Sequence, residues 1–371
     1  MPYDILTPPK MIIGPGSLGK LGEAVASIGK RALLVTGRQA LRKAGVTDLI
    51  QRQLVASGVQ TSIFEEVEPE PSCETCDAIR DYIRSDKCNV VVGAGGGSAM
   101  DAAKVAAGLA EEEPPVLEFW LGRSMPARPG VPFVAVPTLS GTGAEATRNG
   151  VITNPDVPAK QSIRNDSFVA RLVVVDPYLA LATPPKLTAY AGMDALVQAI
   201  EAFTSRHANP VTDAWAVEAI LRLKDSVAAA YHAGGDLLAR SEVAVGSLLS
   251  GLALSNARLG LVHGLAHPLG ARYKIPHGLV CAVLLPSVMR FNREACPEKY
   301  ARLDALLGGN AADRVEALSR SVGIPANLSG FQIKPDDVNR LVEESLPSGS
   351  TKANPRTVTP EAAAAILRSL I

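Results

Sequence analysis

Asn89-Val90-Val91-Val92-Gly93-Ala94-Gly95-Gly96-Gly97-Ser98-Ala99-Met100-Asp101-Ala102-Ala103-Lys104 runs from apolar residues through a glycine-rich turn into an alanine-rich segment. Three consecutive valines read as a buried strand, and the alanine-rich segment reads as a helix. The glycines between them let backbone amides come close to a ligand, and the helix N-terminus presents the positive end of its dipole. That arrangement suits a pyrophosphate. The spacing is not GxGxxG, and a glycine turn made for steric reasons alone has the same composition.

The neighbouring chain repeats the strand–helix rhythm. Upstream, Lys10–Ile13 reads as a short strand ended by Gly14-Pro15-Gly16, with Ser17 capping a helix to about Ser27. Arg31–Thr36 reads as a buried strand turning at Gly37-Arg38, and Thr61–Phe64 as another. Ser72 is placed to cap a helix over 73–84. Downstream, Pro132–Val136 is a strand leading into Pro137-Thr138-Leu139-Ser140-Gly141-Thr142-Gly143-Ala144-Glu145, a second small polar loop. Val151–Thr153 and Leu172–Val175 also read as strands. Strands alternating with helices argue for an α/β domain built on a mostly parallel sheet, whose ligands gather at the C-terminal strand ends.

After Thr183-Pro184-Pro185 the pattern is helical, with segments near 186–206, 209–232, 235–256, 258–269, 279–292, 297–307, 311–322, 335–344 and 360–370. The expected organisation is an α/β domain over 1–183 and an all-helical domain over 184–371, with the active site in a cleft between them.

The helical part holds the second chemical signal. Three of the five histidines, His263, His267 and His277, fall within Val262–Gly278. His263 and His267 are four apart and share a helix face, Pro268 suits the end of that helix, and Pro276 bends the chain before His277. Imidazoles converging from a helix and from the loop after it suit Zn or Fe(II), given a carboxylate. Helix-end histidines that only cap carbonyls are the plain alternative. Asp194, Gln198 and Glu201 share one face of helix 186–206, and Asp194 can supply the carboxylate if that face is buried rather than solvated.

Lys+Arg and Asp+Glu are both 37, so no global field draws the chain to nucleic acid or membrane. The N-terminal residues lack the basic and apolar regions of a signal peptide, and no apolar stretch reaches spanning length. The five cysteines are odd in number and argue for reduced thiols and a cytoplasmic location. Cys73-Glu74-Thr75-Cys76 has no second CxxC to complete a zinc knuckle.

GGGSAMDAAK, the PT-x-x-GTG-x-E loop, GMDAL-x-x-AIEA and VHG-x-AHPLG…PHG occur in this order over most of the chain. With these four motifs the chain resembles the iron-containing (group III) alcohol dehydrogenases, relatives of lactaldehyde and butanol dehydrogenases and of maleylacetate reductases. The resemblance implies a metal-dependent, NAD- or NADP-linked dehydrogenase or aldehyde reductase for a small alcohol or aldehyde, assembled as a homodimer or higher homo-oligomer. It implies one divalent ion, Fe(II) or Zn(II), on Asp194, His263 and His277. The family's remaining histidine position is Gln198 here, a poorer ligand for a first-row metal. It places the dinucleotide on Gly95, Gly96, Gly97, Ser98, Asp101, Thr138, Leu139, Thr142 and Lys160, the substrate near Asn149, and His267 beside the nicotinamide as a proton relay. Many NAD-preferring relatives carry an Asp where this chain has Gly37. Without that acid and with Arg38 adjacent, a 2′-phosphate is accepted. Three other readings are a lyase of the dehydroquinate synthase kind, a metal-free reductase of the maleylacetate type, and a nucleotide-binding relative without catalysis.

Overall fold

The computed structural model describes residues 2–157 and 159–371. Its strands are β1 (Met11–Ile13), β2 (Arg31–Gly37), β3 (Gln60–Val67), β4 (Val90–Gly95), β5 (Phe133–Pro137), β6 (Asn149–Asn154), β7 (Ala159–Arg164) and β8 (Leu172–Val175). The helices begin with α1 (Leu21–Ala26), α2 (Ala40–Lys43), α3 (Val46–Ala56), α4 (Cys73–Ser85), α5 (Gly97–Gly108) and α6 (Val116–Trp120). They continue with α7 (Pro185–Thr204), α8 (Pro210–His232), α9 (Leu237–Ala257), α10 (Leu261–Tyr273), α11 (His277–Asn292) and α12 (Pro297–Leu307). The last four are α13 (Ala311–Ser321), α14 (Val338–Ser345), α15 (Gly349–Ala353) and α16 (Pro360–Arg368).

Two compact units are present. Leu6–Leu139 with Gly143–Leu181 form one; Ala182–Ile371, Ser140–Thr142 and the N-terminal residues up to Ile5 form the other.

In the α/β unit, six strands form one parallel sheet in the order β1-β8-β5-β4-β2-β3. The chain runs outward from β2 to β3, crosses to β4 on the other side of β2, and continues outward to β5. The order therefore reverses between β2 and β4, and the crevice beyond the C-terminal ends of such strands is where α/β sheets bind ligands. Val90–Val92 and Val134–Val136 are fully buried, as expected of central parallel strands covered on both faces. β6 and β7 form a separate antiparallel pair. The strand expected over Val151–Thr153 is part of it, whereas β7 was not foreseen.

The expected Ser17 cap is not formed. Gly16 occupies the N-cap of a 3-10 turn over Ser17–Lys20, and α1 starts only at Leu21. The Ser17 hydroxyl donates to the Val175 carbonyl at 2.9 Å. The Asp176 carboxylate, far away in sequence, accepts from the Gly16 and Leu18 amides. A tertiary carboxylate thus displaced the local cap. Ser72 does cap α4, accepting from the Thr75 amide at 3.1 Å.

In the helical unit α7, α8 and α9 pack together around a core that includes Leu196, Ile200, Ile220, Leu223, Val243 and Ala253. Pro184-Pro185 starts α7 with proline at the first helical position, where its missing N–H costs nothing. α9 corrects one expectation: it is 21 residues long and apolar enough to cross a membrane, with mean hydropathy 1.4. Most of it is buried among neighbouring helices, as in the core helix of a folded unit. Two further expectations fail nearby. Pro268 lies inside α10, which continues to Tyr273, and His277 opens α11 instead of sitting in the loop before it.

Candidate functional site

The polar face of α7 is buried. Asp194, Gln198 and Glu201 are each 3% exposed on a helix whose remaining surface is largely apolar core. Polar side chains at that depth require partners. α10 supplies His263 and α11 supplies His277 and, one turn later, Cys281. One donor atom from each of Asp194, His263, His277 and Cys281 lies within 4.8 Å of every other. His263 Nε2 is 3.4 Å and His277 Nε2 3.7 Å from Asp194 Oδ1, and Cys281 Sγ is 3.6 Å from His277 Nε2. Glycine makes the approach of α11 possible: a Cβ on Gly278 would stand 2.1 Å from the Tyr190 carbonyl oxygen of α7.

These side chains are oriented from behind. His263 Nδ1 lies 2.6 Å from Glu201 Oε2, and Glu201 Oε1 accepts the Val262 amide at 2.7 Å. With Nδ1 engaged, Nε2 is the nitrogen left to face Asp194. Burial acts to raise the Asp194 pKa, but His277 and His263 outweigh it and hold the carboxyl below its ordinary range. The Gln198 carboxamide is occupied at both ends. Its Nε2 donates to Asp194 Oδ2 at 3.0 Å and its Oε1 accepts from the Ser250 hydroxyl at 3.1 Å. His267, half-buried on α10, stacks edge-on to the His277 ring at 5.8 Å between centroids.

The donor set fits a divalent metal by a direct criterion. Asp194 Oδ1 and His263 Nε2 are buried without any hydrogen-bond partner. They face each other at 3.4 Å in a dry pocket, and a proton shared between them or a divalent cation bound to both meets the cost of burying them.

In the α/β unit the strand ends bring a second set together. Gly95 pairs with Pro137 across β4 and β5, and the Thr138 amide donates to the Gly95 carbonyl at 2.9 Å. Gly37 ends β2, the strand on the other side of β4. Gly95 sits at φ 147, a conformation reserved for glycine. Gly96 opens α5 with no side-chain cap on the helix, and a Cβ there would touch only Leu139, at 3.6 Å. Uncapped amides beside a bare backbone are the kind of surface that can accept an anionic ligand. Arg38 is exposed, its Nε 3.4 Å from the Glu66 carbonyl. Thr142 groups with the helical unit.

Residues 8–177 match the model of iron-containing alcohol dehydrogenases, and 188–371 that of the C-terminal part of the Fe-containing alcohol dehydrogenase family. The chain belongs to the iron-containing alcohol dehydrogenase family. It is an oxidoreductase acting on CH–OH groups. A 1,3-propanediol dehydrogenase of Klebsiella pneumoniae is 38% identical over 99% of this chain and 98% of its own length. An NAD-dependent methanol dehydrogenase of Bacillus methanolicus is 31% identical over 98% of each. A crystal structure of a 1,3-propanediol oxidoreductase superposes with a TM-score of 0.95 at 36% identity, covering all of both chains.

Among residues attributed to this family's cofactor site, Asp101 and Lys160 have other partners here. Asp101 Oδ2 accepts the Val151 amide at 3.1 Å and lies beside Lys104, 3.6 Å away. Lys160 forms an ion pair with Glu70, whose own amide donates to Ser98 Oγ. Asn149 opens β6, and its carbonyl accepts from Lys104 Nζ at 2.8 Å. Lys104 itself escaped the sequence reading. Fully buried in α5, it also donates to the Ala144 carbonyl at 2.6 Å and to Thr147 Oγ1 at 2.8 Å. It therefore braces the segment that follows Thr138-Leu139. Glu201 and Cys281 were also missed as parts of the histidine site. Glu201 had been placed on the right helix face without a role, and Cys281 stands four residues after His277 in an otherwise apolar run. Cys73 and Cys76 are buried; burial pushes the Cys73 thiol up to about 12 and Cys76 well above its usual range, so both are inert thiols.

Proposed function

We propose that this protein is a metal-dependent, NAD(P)-linked alcohol dehydrogenase or aldehyde reductase acting on a short primary alcohol or the matching aldehyde. The observation that carries the metal is the pair of buried, unpartnered atoms Asp194 Oδ1 and His263 Nε2 in a chain of this family. In a metal-free reductase or a nucleotide-binding relic those two atoms have only each other, at 3.4 Å. Identity to the Klebsiella 1,3-propanediol dehydrogenase supports a short alcohol or diol as the substrate class.

In this reading Asp194, His263 and His277 hold a divalent ion, Fe(II) or Zn(II), which supplies Lewis-acid polarisation of the substrate oxygen. Glu201 fixes the His263 ring so that Nε2 faces the donor cluster. Gln198 steadies the Asp194 carboxylate through its second oxygen. The amides of Gly96–Ser98 at the start of α5 hold the diphosphate, with Thr138 and Leu139 beside them. A nicotinamide bound there would supply the hydride-transfer chemistry. His267 exchanges the hydroxyl proton with solvent, the acid–base role an imidazole can fill. Gly37 and Arg38 leave room and positive charge for a 2′-phosphate, so NADP(H) is accepted alongside NAD(H). The family's homo-oligomeric assembly is carried over in the same way.

The test is cofactor absorbance with metal-reconstituted protein, NADH and NADPH, and a panel of short aldehydes, alcohols and diols. Steady turnover that chelation abolishes is expected. Dinucleotide binding without turnover on any member overturns the reading, and undiminished turnover in metal-free protein returns the metal-free reductase.

A further inference from the structure

We infer that Cys281 is a protein ligand of the metal, so that the site is Asp-His-His-Cys and selects Zn(II) over Fe(II). The inference rests on the reading of the Asp194 cluster as a metal centre and specifies its fourth donor.

The position expected for a fourth ligand on α7 is taken by Gln198, and its amide is turned elsewhere, to Asp194 Oδ2 and Ser250. The donor that stands in the cluster is Cys281. It is fully buried, one helical turn after His277 on the same face of α11, and its sulfur is among the four atoms that all lie within 4.8 Å of one another. Its sulfur lies 3.6 Å from His277 Nε2. Independently of the cysteine, Asp194 Oδ1 and His263 Nε2 point into the same space without a partner.

Three of the spacings are those that ligands of one centre would have. Bonds of about 2.3 Å to thiolate sulfur and about 2.05 Å to imidazole or carboxylate, spread at tetrahedral angles, separate S from N by about 3.6 Å and N from O by about 3.4 Å. The observed separations are 3.6 Å for Cys281 Sγ to His277 Nε2, 3.4 Å for His263 Nε2 to Asp194 Oδ1, and 3.7 Å for His277 Nε2 to Asp194 Oδ1.

The chemistry follows from the sulfur. The thiol gives its proton to solvent as the S–metal bond forms, and two anionic ligands then neutralise a divalent ion. A thiolate among imidazoles is a softer donor than a carboxamide, and Zn(II) already stands above Fe(II) in the affinity order for such sites.

The test uses the full-length protein stripped by chelation and titrated with Co(II), whose thiolate complexes absorb intensely in the near ultraviolet. Wild type is expected to show a sulfur-to-cobalt charge-transfer band together with the weaker visible d–d bands. Cys281→Ser is expected to keep d–d bands and lose the charge-transfer band, with the other four cysteines left in place as internal controls. Zn(II) affinity, measured by competition with a chromophoric chelator, is expected to fall at least tenfold in Cys281→Ser and in Cys281→Ala, with circular dichroism reporting that both remain folded. Cobalt bound in the wild type without the charge-transfer band, or a band that persists in Cys281→Ser, overturns the cysteine ligand. If His263→Ala then still abolishes cobalt uptake, the metal centre stands and only its fourth ligand is wrong. Wild type that takes up no cobalt, zinc or iron overturns the metal centre together with the cysteine.

Discussion

Glu201 Oε2 lies 2.6 Å from His263 Nδ1, sixty-two residues along the chain, and both side chains are buried. That contact decides which imidazole nitrogen faces Asp194, because Nδ1 is engaged by the carboxylate and Nε2 is left. A carboxylate behind a ligating histidine fixes ring orientation and raises its basicity, and loss of such a partner costs about 10–100-fold in metal affinity or activity. Glu201→Gln is therefore expected to weaken Zn(II) or Co(II) binding by roughly that factor. Competition titration against a chelator measures it; affinity equal to wild type would refute the orienting role.

His267 is close to His277 but outside the four-donor group. His267→Ala is expected to retain the metal and lose about 10²–10⁴-fold in kcat, the usual contribution of a proton-transferring side chain. Elemental analysis alongside steady-state kinetics separates the two effects. Metal loss in this variant would make His267 a ligand instead.

The glycine cradle gives a paired prediction. Gly96 has an ordinary φ of −80, and a Cβ there would meet only Leu139, in van der Waals contact at 3.6 Å. Gly96→Ala and Gly96→Val are expected to fold normally and to weaken dinucleotide binding at least tenfold, about 1.4 kcal/mol. Gly95 has φ 147, and its Cβ would meet Ala99 Cβ at 2.8 Å. Gly95→Ala is expected to lower stability itself, by about 1–3 kcal/mol from backbone strain alone. Thermal melts and fluorescence titration with NADH distinguish the two classes; unchanged affinity in folded Gly96→Val removes the diphosphate from this loop.

The proposed cofactor choice is tested at the end of β2. A Cβ at Gly37 would meet nothing closer than the Val67 carbonyl at 3.6 Å, so a side chain fits. Gly37→Asp places a carboxylate where it accepts from a ribose 2′-hydroxyl and repels a 2′-phosphate. The ratio of kcat/KM for NADH over NADPH is expected to rise about tenfold or more, a change of at least ~1.4 kcal/mol in discrimination. An unchanged ratio places the 2′ recognition elsewhere.

Glu145 makes stability depend on pH. It is 3% exposed, and burial raises its pKa to about 7, opposed in part by its own backbone amide and by Lys104, while Asp101 adds to the rise. Its folded pKa lies above its unfolded one. The stabilising contribution is therefore complete below about pH 4.5, the carboxyl's ordinary value, and declines until about pH 7. On the order of 3 kcal/mol is involved at one shift unit per ~1.4 kcal/mol. Urea unfolding at pH 5 and pH 8 is expected to show a smaller difference for Glu145→Gln than for wild type, with the variant the more stable at pH 8. Equal pH dependence in both would place the titrating group elsewhere.

How far the sequence reaches is clear from particular residues. Val90–Val92, Gly95–Gly97 and the alanines of α5 announced strand, turn and helix because period, glycine content and apolar runs are local properties. The shared face of Asp194, Gln198 and Glu201 was legible for the same reason, since a helix turns 100° per residue wherever it lies. The clustering of His263, His267 and His277 was equally plain. What those residues do to one another was not. Gln198 had the position of a ligand, yet Ser250 and Asp194 claim its amide. Cys281 lay in an apolar run with nothing to mark it, and only the packing of α11 against α7 at Gly278 carries its sulfur to Asp194. Ser17 had the right identity for a cap, but Asp176 reached the free amides first. At Ser17 a local capping preference worth about 1 kcal/mol was set against a buried carboxylate that must find partners, and the penalty for leaving such a group unpaired is larger. Periodicity and turn chemistry therefore determined the elements and their faces. Tertiary packing decided which buried lone pairs meet, because that depends on contacts between residues tens of positions apart.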